Sequence, residues 1–323
     1  MAFQGKFQSA ESVIQSLQQL VQEYDGATGS EILRAIANRT NLLQSQAPHD
    51  IIIGNIGRRC EMLVRSKYKQ HLTGMQPTRI LLFEEPDEKE PDIRSADAHS
   101  IAMAVLTKFE EKIKRLGSVG GVCHGFISPG DTIMTVSYGV QVFNHFVALR
   151  QKGVEFSVLI PENEPLRDGK ALALTLAKSN IQTALISDAS IALHLTKASC
   201  VLLEPELILV NGGAIATSGA VLTAMAARAI GRPVYCLCEI FQFCAEHVNS
   251  VSHLLASSHP CDVLPAESMK ESFSSFKNLT IKAPLWAYME PDLVTAYITS
   301  EGTFQPSSIF QLAQPAPSRV EFV

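Results

Sequence analysis

The stretch VLLEPELILVNGGAIATSGAVLTAMAARAIG (201–231) decides the fold class of this chain, because a short apolar strand and a long helix follow each other closely in it. The strand runs into Asn211-Gly212-Gly213, and we predict a nearly uncharged helix over 215–230 directly after it. The two glycines allow a tight turn and leave N–H groups bare at the predicted helix N-terminus, where the partial positive charge favours an anion. The stretch therefore predicts either a plain tight turn or an anion site, and the sequence leaves both open.

The same alternation of strand and helix begins at Asp131 and continues to Leu237. The strands are short and apolar on both faces, which is typical of a parallel sheet covered by helices on both sides. No G-x-G-x-x-G follows the first strand, so the dinucleotide-binding fingerprint is absent. We predict strands over 132–137, 154–160 and 181–187, near 201 and 208, and over 233–237, with helices over 140–152, 169–178, 189–196 and 215–230.

The first third of the chain has the apolar spacing of amphipathic helices. One helix is predicted through Val13 to Tyr24, and Gly26 and Gly29 end it. Ser30 is the predicted N-cap of the second helix, which places Ile32, Leu33 and Ile36 inward. A third helix is expected over about 55–72, and a fourth begins near residue 95.

The predicted fold class is α/β, with two domains. Residues 1–120 form an N-terminal helical domain with an exposed, proline-rich and acidic insertion over 73–93. Residues 121–323 form a Rossmann-like domain with a mainly parallel sheet, and its proline-rich tail over 314–318 is predicted to be loose. This second domain is expected to carry a ligand pocket and a dimerisation surface.

The composition limits the classes of function. The 323 residues have a formal net charge of -5, which argues against a broad nucleic-acid surface, since such surfaces are strongly basic. The 7 cysteines, an odd number spread through apolar segments, indicate reduced thiols. The first residues lack the apolar core of a secretory signal, and the weakly charged run 212–227 is shorter than a membrane span. We expect a soluble, cytoplasmic protein with no membrane partner and no direct nucleic-acid partner.

Polar and acidic side chains follow nearly every predicted strand. Ligands of open parallel sheets bind beyond the carboxyl ends of the strands, so these side chains are predicted to share a pocket. Asp188 has a second interpretation as the cap of the following helix, and Glu206 has one as part of a surface turn. The predicted pocket residues at the strand ends are Thr135, Ser137, Tyr138, Glu162, Asp188, Glu206, Asn211, Gly212 and Gly213.

Two further sets of residues have competing interpretations. Arg34 lies beside apolar residues of the second helix, and it is either a surface arginine with a buried stem or a clamp for an anion. Cys236, Cys238, Cys244 and His247 invite a zinc interpretation, but a C-x-C on a strand merely places two side chains on one face. We therefore predict a structural role for these cysteines, with no metal site and no cofactor.

Several segments together carry a resemblance to a known family. In order along the chain these are VCHGFISPGDTIMTVSYGVQVF (122–143), VLIPENEPLRDGKALA (158–173), ISDASIALHL (186–195), LILVNGGAIATSGA (207–220), RPVYCLCEIFQF (232–243) and PDLVTAYITSEGTFQPSSIFQL (291–312). The series resembles the alpha, beta and delta regulatory subunits of translation initiation factor 2B, the guanine-nucleotide exchange factor for initiation factor 2. Methylthioribose-1-phosphate and ribose-1,5-bisphosphate isomerases are similar to the same family. Residues 9–35 are most similar to the alpha subunit, whereas PSSIFQL (306–312) leans toward beta.

The chain departs from the isomerases at the positions that carry their chemistry. The resemblance implies a catalytic Cys, an Asp and an Asn-Lys pair, and here Ser137, Glu206 and Ala216-Thr217 occupy these positions. A serine hydroxyl does not replace a thiolate without an added base, so the isomerase chemistry is expected to be lost. The resemblance also matches Arg34 to an arginine that binds phosphate in the family.

The resemblance implies a non-catalytic, alpha-type regulatory subunit that helps to sense initiation factor 2 phosphorylated on its alpha subunit. Its expected partners are a second copy of the chain, the beta, gamma, delta and epsilon subunits, initiation factor 2, and a sugar phosphate in the old pocket. The homodimer is expected to form around 239–243 and 286–298. The alternatives are a sugar-phosphate isomerase with Glu206 as acid/base, and a free sensor of sugar or nucleotide phosphates.

Overall fold

The computed structural model describes residues 5–24, 27–47, 50–74, 93, 95–119, 126–244, 278 and 280–313. The chain forms two compact units, one of Met1–Ser118, Ile240–Ala245 and Ser308–Val323, and one of Val119–Glu239 and Glu246–Ser307. Two short segments that the sequence placed in the sheet domain, at 240–245 and after 308, thus group with the helices. Nearly all of the predicted insertion, the predicted loose tail and His247 lie outside the described residues.

The first unit is built from four long helices, α1 (Lys6–Glu23), α2 (Gly29–Gln46), α3 (Ile51–Thr73) and α4 (Ser95–Val119). The apolar spacing predicted these helices, and Val13, Ile14, Leu17 and Val21 of α1 are buried, whereas Tyr24 is exposed. The buried Tyr68 hydroxyl of α3 donates to the Ala98 carbonyl of α4 over 2.9 Å. Fully buried apolar side chains of this unit include Ile14, Leu17, Ile32, Leu33, Ile36, Ile56, Leu106 and Ile113.

The N-cap of α2 differs from the prediction. Thr28, not Ser30, is the cap: its hydroxyl accepts the Glu31 N–H, while the Glu31 carboxylate accepts the Thr28 N–H over 2.8 Å. Two backbone donors are thereby satisfied reciprocally, as in a capping box. Gly29 consequently begins α2 instead of ending α1.

The second unit contains a seven-stranded sheet in the order β11-β10-β7-β4-β1-β2-β3, in which all neighbours are parallel except β10 and β11. The predicted Rossmann-like, mainly parallel sheet is confirmed. Its strands are β1 (Thr132–Met134), β2 (Ser157–Pro161), β3 (Gln182–Ile186), β4 (Cys200–Leu203), β7 (Val234–Leu237), β10 (Ala296–Thr299) and β11 (Gly302–Phe304).

Helices accompany this sheet as the sequence predicted, with one exception. α5 (Val140–Gln151) and α6 (Gly169–Lys178) bury apolar side chains against strands β1 and β2. A 3-10 turn (Asp188–Ser190) and the short α7 (Ile191–Leu195) follow β3. The exception is the helix predicted over 215–230, since α8 covers only Ser218–Ala229 and Thr217 is its N-cap.

The start of that predicted helix is a strand instead. β6 (Ala214–Thr217) pairs antiparallel with β5 (Leu207–Leu209) on one side and with β9 (Trp286–Met289) on the other. These strands form a small sheet apart from the parallel one. The segment Ala-Ile-Ala-Thr is compatible with helix or strand, and pairing on both edges decides for strand.

The predicted dimerisation surface over 239–243 is wrong, because these residues are buried within the chain. In the helical unit, the Phe241 carbonyl accepts the Asn55 side-chain N–H. The Phe241 ring also lies edge-on to Phe7, with 5.5 Å between the ring centroids. Much of 286–298 lies in β9 and β10, whose side chains are largely buried as well. A homodimer itself stays a prediction.

No helix in the described part of the chain is long and apolar enough to cross a membrane.

Candidate functional site

The carboxyl ends of β1, β2 and β3 meet at one edge of the parallel sheet, because the three strands are neighbours and parallel. The chain returns from β3 to place β4 on the opposite side of β1. The order of the strands therefore reverses between β1 and β4. Ligands of open α/β sheets bind at such a switch point, so this edge is the candidate site.

The loop after β1 is held by a carboxylate that is not among the predicted pocket residues. Asp168, which immediately precedes α6, accepts the Ser137 hydroxyl over 3.0 Å and the Tyr138 backbone N–H over 2.9 Å. Ser137 has a φ of 73°, a left-handed conformation that is strained for a residue with a side chain. This geometry ends β1 at Met134, three residues before the predicted end of the strand.

The loop after β2 joins the same cluster. The Asn163 side-chain amide donates to Asp168 over 2.7 Å and to the Ser137 oxygen over 3.4 Å. Asn163 is buried and also has a left-handed backbone, with a φ of 62°. The three side chains form a hydrogen-bonded group that fixes the positions of both loops. The signal in the sequence is the segment 162–168, of which only Glu162 is among the predicted pocket residues.

Asp188, which follows β3, binds the loop after β2 instead of capping the next helix. Its carboxylate accepts the backbone N–H groups of Asn163 and Glu164, over 2.9 Å and 2.7 Å. The capping interpretation is therefore wrong: Asp188 begins the 3-10 turn, and Ser187 precedes that turn without a side-chain cap. Asp188 satisfies donors that β2 leaves unpaired at its end.

The predicted residues Thr135, Tyr138 and Glu162 have different environments at this edge. Thr135 is fully buried, and within the described ranges its hydroxyl has no hydrogen-bond partner. The Tyr138 ring is 40% exposed and stacks near Phe143, with 6.4 Å between the centroids. Glu162 is exposed. The structure thus brings these strand ends to one edge, and whether they contact a ligand stays a prediction.

A second acidic group lies on the other side of β1. The Glu204 carboxylate, just after β4, accepts the backbone N–H of Gln141 over 2.9 Å and that of Val142 over 3.1 Å. Glu239, just after β7, is 1% exposed and accepts the Ser300 hydroxyl over 2.6 Å. The Gln141 side-chain amide donates to Glu239 over 3.4 Å. Glu204 is not among the predicted pocket residues, although its place directly after an apolar strand is a signal in the sequence.

The turn Asn211-Gly212-Gly213 is a hairpin turn between β5 and β6, and not the start of a helix. The Gly212 N–H donates to the Leu209 carbonyl over 2.9 Å, and the Gly213 N–H donates to the Asn211 side chain over 3.1 Å. These N–H groups are therefore already used, so the predicted anion site at a helix N-terminus is wrong and the tight-turn alternative is confirmed.

The hairpin is fixed by two tyrosines. Asn211 donates to the Tyr288 hydroxyl over 2.8 Å, and the Tyr297 hydroxyl donates to the Gly212 carbonyl over 2.8 Å. Burial raises the pKa of Tyr297 well above its ordinary value, so the hydroxyl remains a donor.

Glu206 precedes β5, and its N–H donates to the Ile215 carbonyl of β6. Glu206 and the hairpin thus belong to the small sheet, and their predicted part in a pocket stays a prediction.

The remaining candidates belong to other elements of the fold. Arg34 is an exposed residue of α2 in the helical unit, and its proposed contact with a phosphate stays a prediction. Cys236 and Cys238 are 0% and 1% exposed, in and just after β7. In the described ranges, no three His, Cys, Asp or Glu side chains are grouped so that they could hold a metal ion.

The cluster around Ser137 favours binding and positioning over nucleophilic chemistry. A serine nucleophile needs a base that removes its proton, and histidine usually supplies it. Here the Ser137 hydroxyl faces Asp168, which also accepts hydrogen bonds from Tyr138 and Asn163. Asp168 therefore accepts hydrogen bonds from three donors, and these contacts hold the loops after β1 and β2 in place.

Comparisons with known proteins agree on one family. The chain matches the initiation factor 2 subunit family over residues 2–306. It is 26% identical over 249 residues to translation initiation factor eIF2B subunit beta of Dictyostelium discoideum, which is 73% of this chain and 61% of that protein. The chain thus spans less than two thirds of the length of this relative.

Solved structures share the fold. The tetrameric eIF2B-beta2-delta2 complex from Chaetomium thermophilum contains a chain with a TM-score of 0.67 and 20% identity, covering 97% of this chain and 90% of that one. The 5-methylthioribose 1-phosphate isomerase of Pyrococcus horikoshii has a TM-score of 0.61 and 14% identity, covering 97% and 83%. At these identities the likeness concerns the fold alone.

Proposed function

The chain belongs to the initiation factor 2 subunit family, and on that premise we propose that it is a non-catalytic regulatory subunit of translation initiation factor 2B in the cytoplasm. The observation that carries the proposal is the family match, which extends over residues 2–306 and thus over both units. In this role the chain contributes binding surfaces to an assembly that exchanges guanine nucleotide on initiation factor 2, and it helps the assembly to respond to the phosphorylated form of that factor.

The type of subunit is better assigned as beta than as alpha. The alpha prediction rests on residues 9–35, whereas the relative from Dictyostelium discoideum is named subunit beta. The segment PSSIFQL (306–312) leans the same way. The solved complex is a beta2-delta2 tetramer, so we propose a delta-type subunit as the direct partner and the gamma and epsilon subunits as further members of the assembly.

The non-catalytic part of the proposal is supported by the chemistry around Ser137. The resemblance places this serine where the isomerases have a cysteine, and its hydroxyl donates to Asp168 over 3.0 Å. Ala216 and Thr217, which replace the Asn-Lys pair, lie buried in β6. A serine hydroxyl without the lysine does not supply the reactivity of a thiolate.

Affinity purification tests the proposal. The full chain carries a tag in its source cells, and mass spectrometry quantifies the co-purified proteins against cells that express the tag alone. We expect delta-, gamma- and epsilon-type subunits in comparable molar amounts. Their absence, with the tagged chain folded and abundant, would overturn the assignment to this assembly and favour a free phosphate sensor.

An isomerase is the second candidate, because this chain shares the fold of the solved 5-methylthioribose 1-phosphate isomerase. Purified chain is incubated with methylthioribose 1-phosphate or ribose 1,5-bisphosphate, and the formation of the ketose product is followed. We expect no turnover above buffer. Turnover that Glu206→Gln abolishes would establish an enzyme with Glu206 as its acid/base.

A further inference from the structure

The Glu204 carboxylate occupies the first turn of α5, and we propose that it closes an anion site at the switch point of the sheet and thereby excludes phosphoryl ligands from it. One carboxylate oxygen, Oε2, accepts the N–H of Gln141 over 2.9 Å and the N–H of Val142 over 3.1 Å. This inference does not depend on the proposed assembly, since it concerns only contacts within the sheet unit.

The position is one where an anion is favoured. α5 is 12 residues long, follows β1 directly, and begins after Gly139, which has no side chain to cap it. Its first N–H groups lie between the ends of β1 and β4, where the strand order reverses. Helix N-termini at such crevices bind phosphate through these same N–H groups. Glu204 presents a negatively charged oxygen to them from within the chain.

The Glu204 side chain packs directly against Gly139. A Cβ added at residue 139 would overlap the Oε2 atom of Glu204 and would lie 2.9 Å from its Cβ and Cδ. Any residue other than glycine at 139 would therefore displace the carboxylate or the loop. Glu204 and Gly139 are 65 positions apart in the numbering, but the two residues form one tightly packed contact.

Two buried polar atoms at the same edge are a separate observation that points to a polar site here. The Thr135 hydroxyl and the Gln141 Oε1 atom are fully buried, and neither has a hydrogen-bond partner among the residues that the structure describes. Buried polar atoms are normally satisfied, so these two atoms leave hydrogen-bonding capacity beside the start of α5.

The negative charge of two carboxylates also disfavours the binding of phosphate at the start of α5. Besides Glu204, the buried Glu239 carboxylate is connected to the start of α5, because it accepts a hydrogen bond from the Gln141 side chain. An incoming phosphate would have to displace one carboxylate and approach a second. Like charges at short range in a partly desolvated site repel strongly. The phosphate group of the predicted sugar-phosphate ligand therefore does not bind at α5 in the natural sequence.

The test measures thermal unfolding in inorganic phosphate against chloride at equal ionic strength. We compare the natural chain, Glu204→Ala, and the control Glu155→Ala, which removes the same charge from a side chain that is 86% exposed. We expect a saturable rise in Tm of about 2–4 °C for Glu204→Ala at phosphate concentrations roughly tenfold above Kd, and none for the other two. A natural chain that responds as strongly as Glu204→Ala would overturn the proposal.

A second variant tests the proposal even if Glu204→Ala does not fold. Glu204→Gln keeps the shape and one acceptor but removes the charge, so its Tm is expected to rise with phosphate, at higher concentrations than for Glu204→Ala. If no folded variant responds, the site does not bind phosphate and the proposal fails. A rise equal in all variants and in the control would indicate an adventitious ion only, and would equally overturn it.

A double-mutant cycle tests the contact without any ligand. Gly139→Ala is expected to lower the Tm of the natural chain by several degrees, roughly 5 °C, and to lower that of Glu204→Ala by less than half as much. Equal losses in the two backgrounds would contradict the close accommodation of Glu204 by Gly139.

Discussion

The hydroxyl of Ser137 donates a hydrogen bond to the carboxylate of Asp168 over 3.0 Å, and this contact joins the loops that follow β1 and β2. Asp168 also accepts the Tyr138 N–H and the Asn163 amide. Both Ser137 and Asn163 have left-handed backbone conformations, which persist only where surrounding contacts impose them. Asp168 supplies such contacts to both loops.

Asp168→Ala is expected to destabilise the chain by about 1–3 kcal/mol, because it leaves three donors without their acceptor. Ser137→Ala removes one of these bonds and is expected to cost about 0.5–1.5 kcal/mol. Urea unfolding measures both. The control is Asp292→Ala, whose side chain is 69% exposed and whose ion pair with Arg228 contributes little. A cost for Asp168→Ala no larger than that of Ser137→Ala would show that Asp168 does not hold the two loops.

Gly212→Ala is expected to be far more destabilising than Gly231→Ala. Both glycines have positive φ angles, of 82° and 71°, so either alanine costs about 1 kcal/mol in backbone strain. A Cβ at 212 would also overlap the Pro306 carbonyl oxygen, whereas a Cβ at 231 meets nothing within 4 Å. We expect an additional loss of about 2 kcal/mol or more for Gly212→Ala in urea unfolding. Similar losses for the two variants would mean that the hairpin does not pack against Pro306.

Thr28→Ala is expected to lower the stability by about 1 kcal/mol, because it removes the side-chain acceptor at the N-terminus of α2. Ser30→Ala is the matched control, with an expected change of less than about 0.5 kcal/mol, since Thr28 and not Ser30 is the N-cap. Circular dichroism during urea unfolding measures both. The reverse order of the two effects would restore Ser30 as the cap.

Glu110 makes the stability of the helical unit depend on pH. Hydrogen bonds from Lys114 and Gln15 lower the pKa of its carboxyl to about 2, and Gln18 of α1 donates to it as well. Because the pKa is lower in the folded chain than in the unfolded chain, the stabilisation is complete above the ordinary value of 4.5 and is lost as the pH falls toward about 2.

Glu110→Gln is accordingly expected to cost about 1 kcal/mol at neutral pH, a modest value because the Lys114 side chain is 52% exposed. The difference from the natural chain should shrink steadily below about pH 4. Urea unfolding at a series of pH values measures this difference. A difference that stays constant down to about pH 3 would contradict the role of the ionised carboxylate.

Much of the fold followed from local pattern. Helix α6 begins and ends where the sequence predicted, at Gly169 and Lys178, because its apolar spacing and flanking residues are local signals. The parallel sheet followed from short strands that are apolar on both faces. The site followed in part: Ser137 and Asp188 were identified from their positions at strand ends, but Asp168 and Glu204 were not.

Two of the errors arise because contacts with other segments of the chain override local preference. The helix predicted over 215–230 lost its first turn to β6, because β5 and β9 pair with that segment. The surface predicted over 239–243 is buried, since Phe241 packs on Phe7 and binds Asn55. β9, Phe7 and Asn55 lie far from these segments in the sequence, so their contacts were not visible in the local pattern.

The sequence by itself determined the helical first third, the α/β character of the rest and the family, because each depends on periodicity or on ordered local motifs. Only the tertiary structure decided what the polar residues at the strand ends do. Asp168 binds Ser137, Asp188 binds the loop after β2, and Glu204 fills the start of α5. Hydrogen bonds reach only about 3 Å, so their partners are set by which strands become neighbours, and no short stretch of sequence encodes that order.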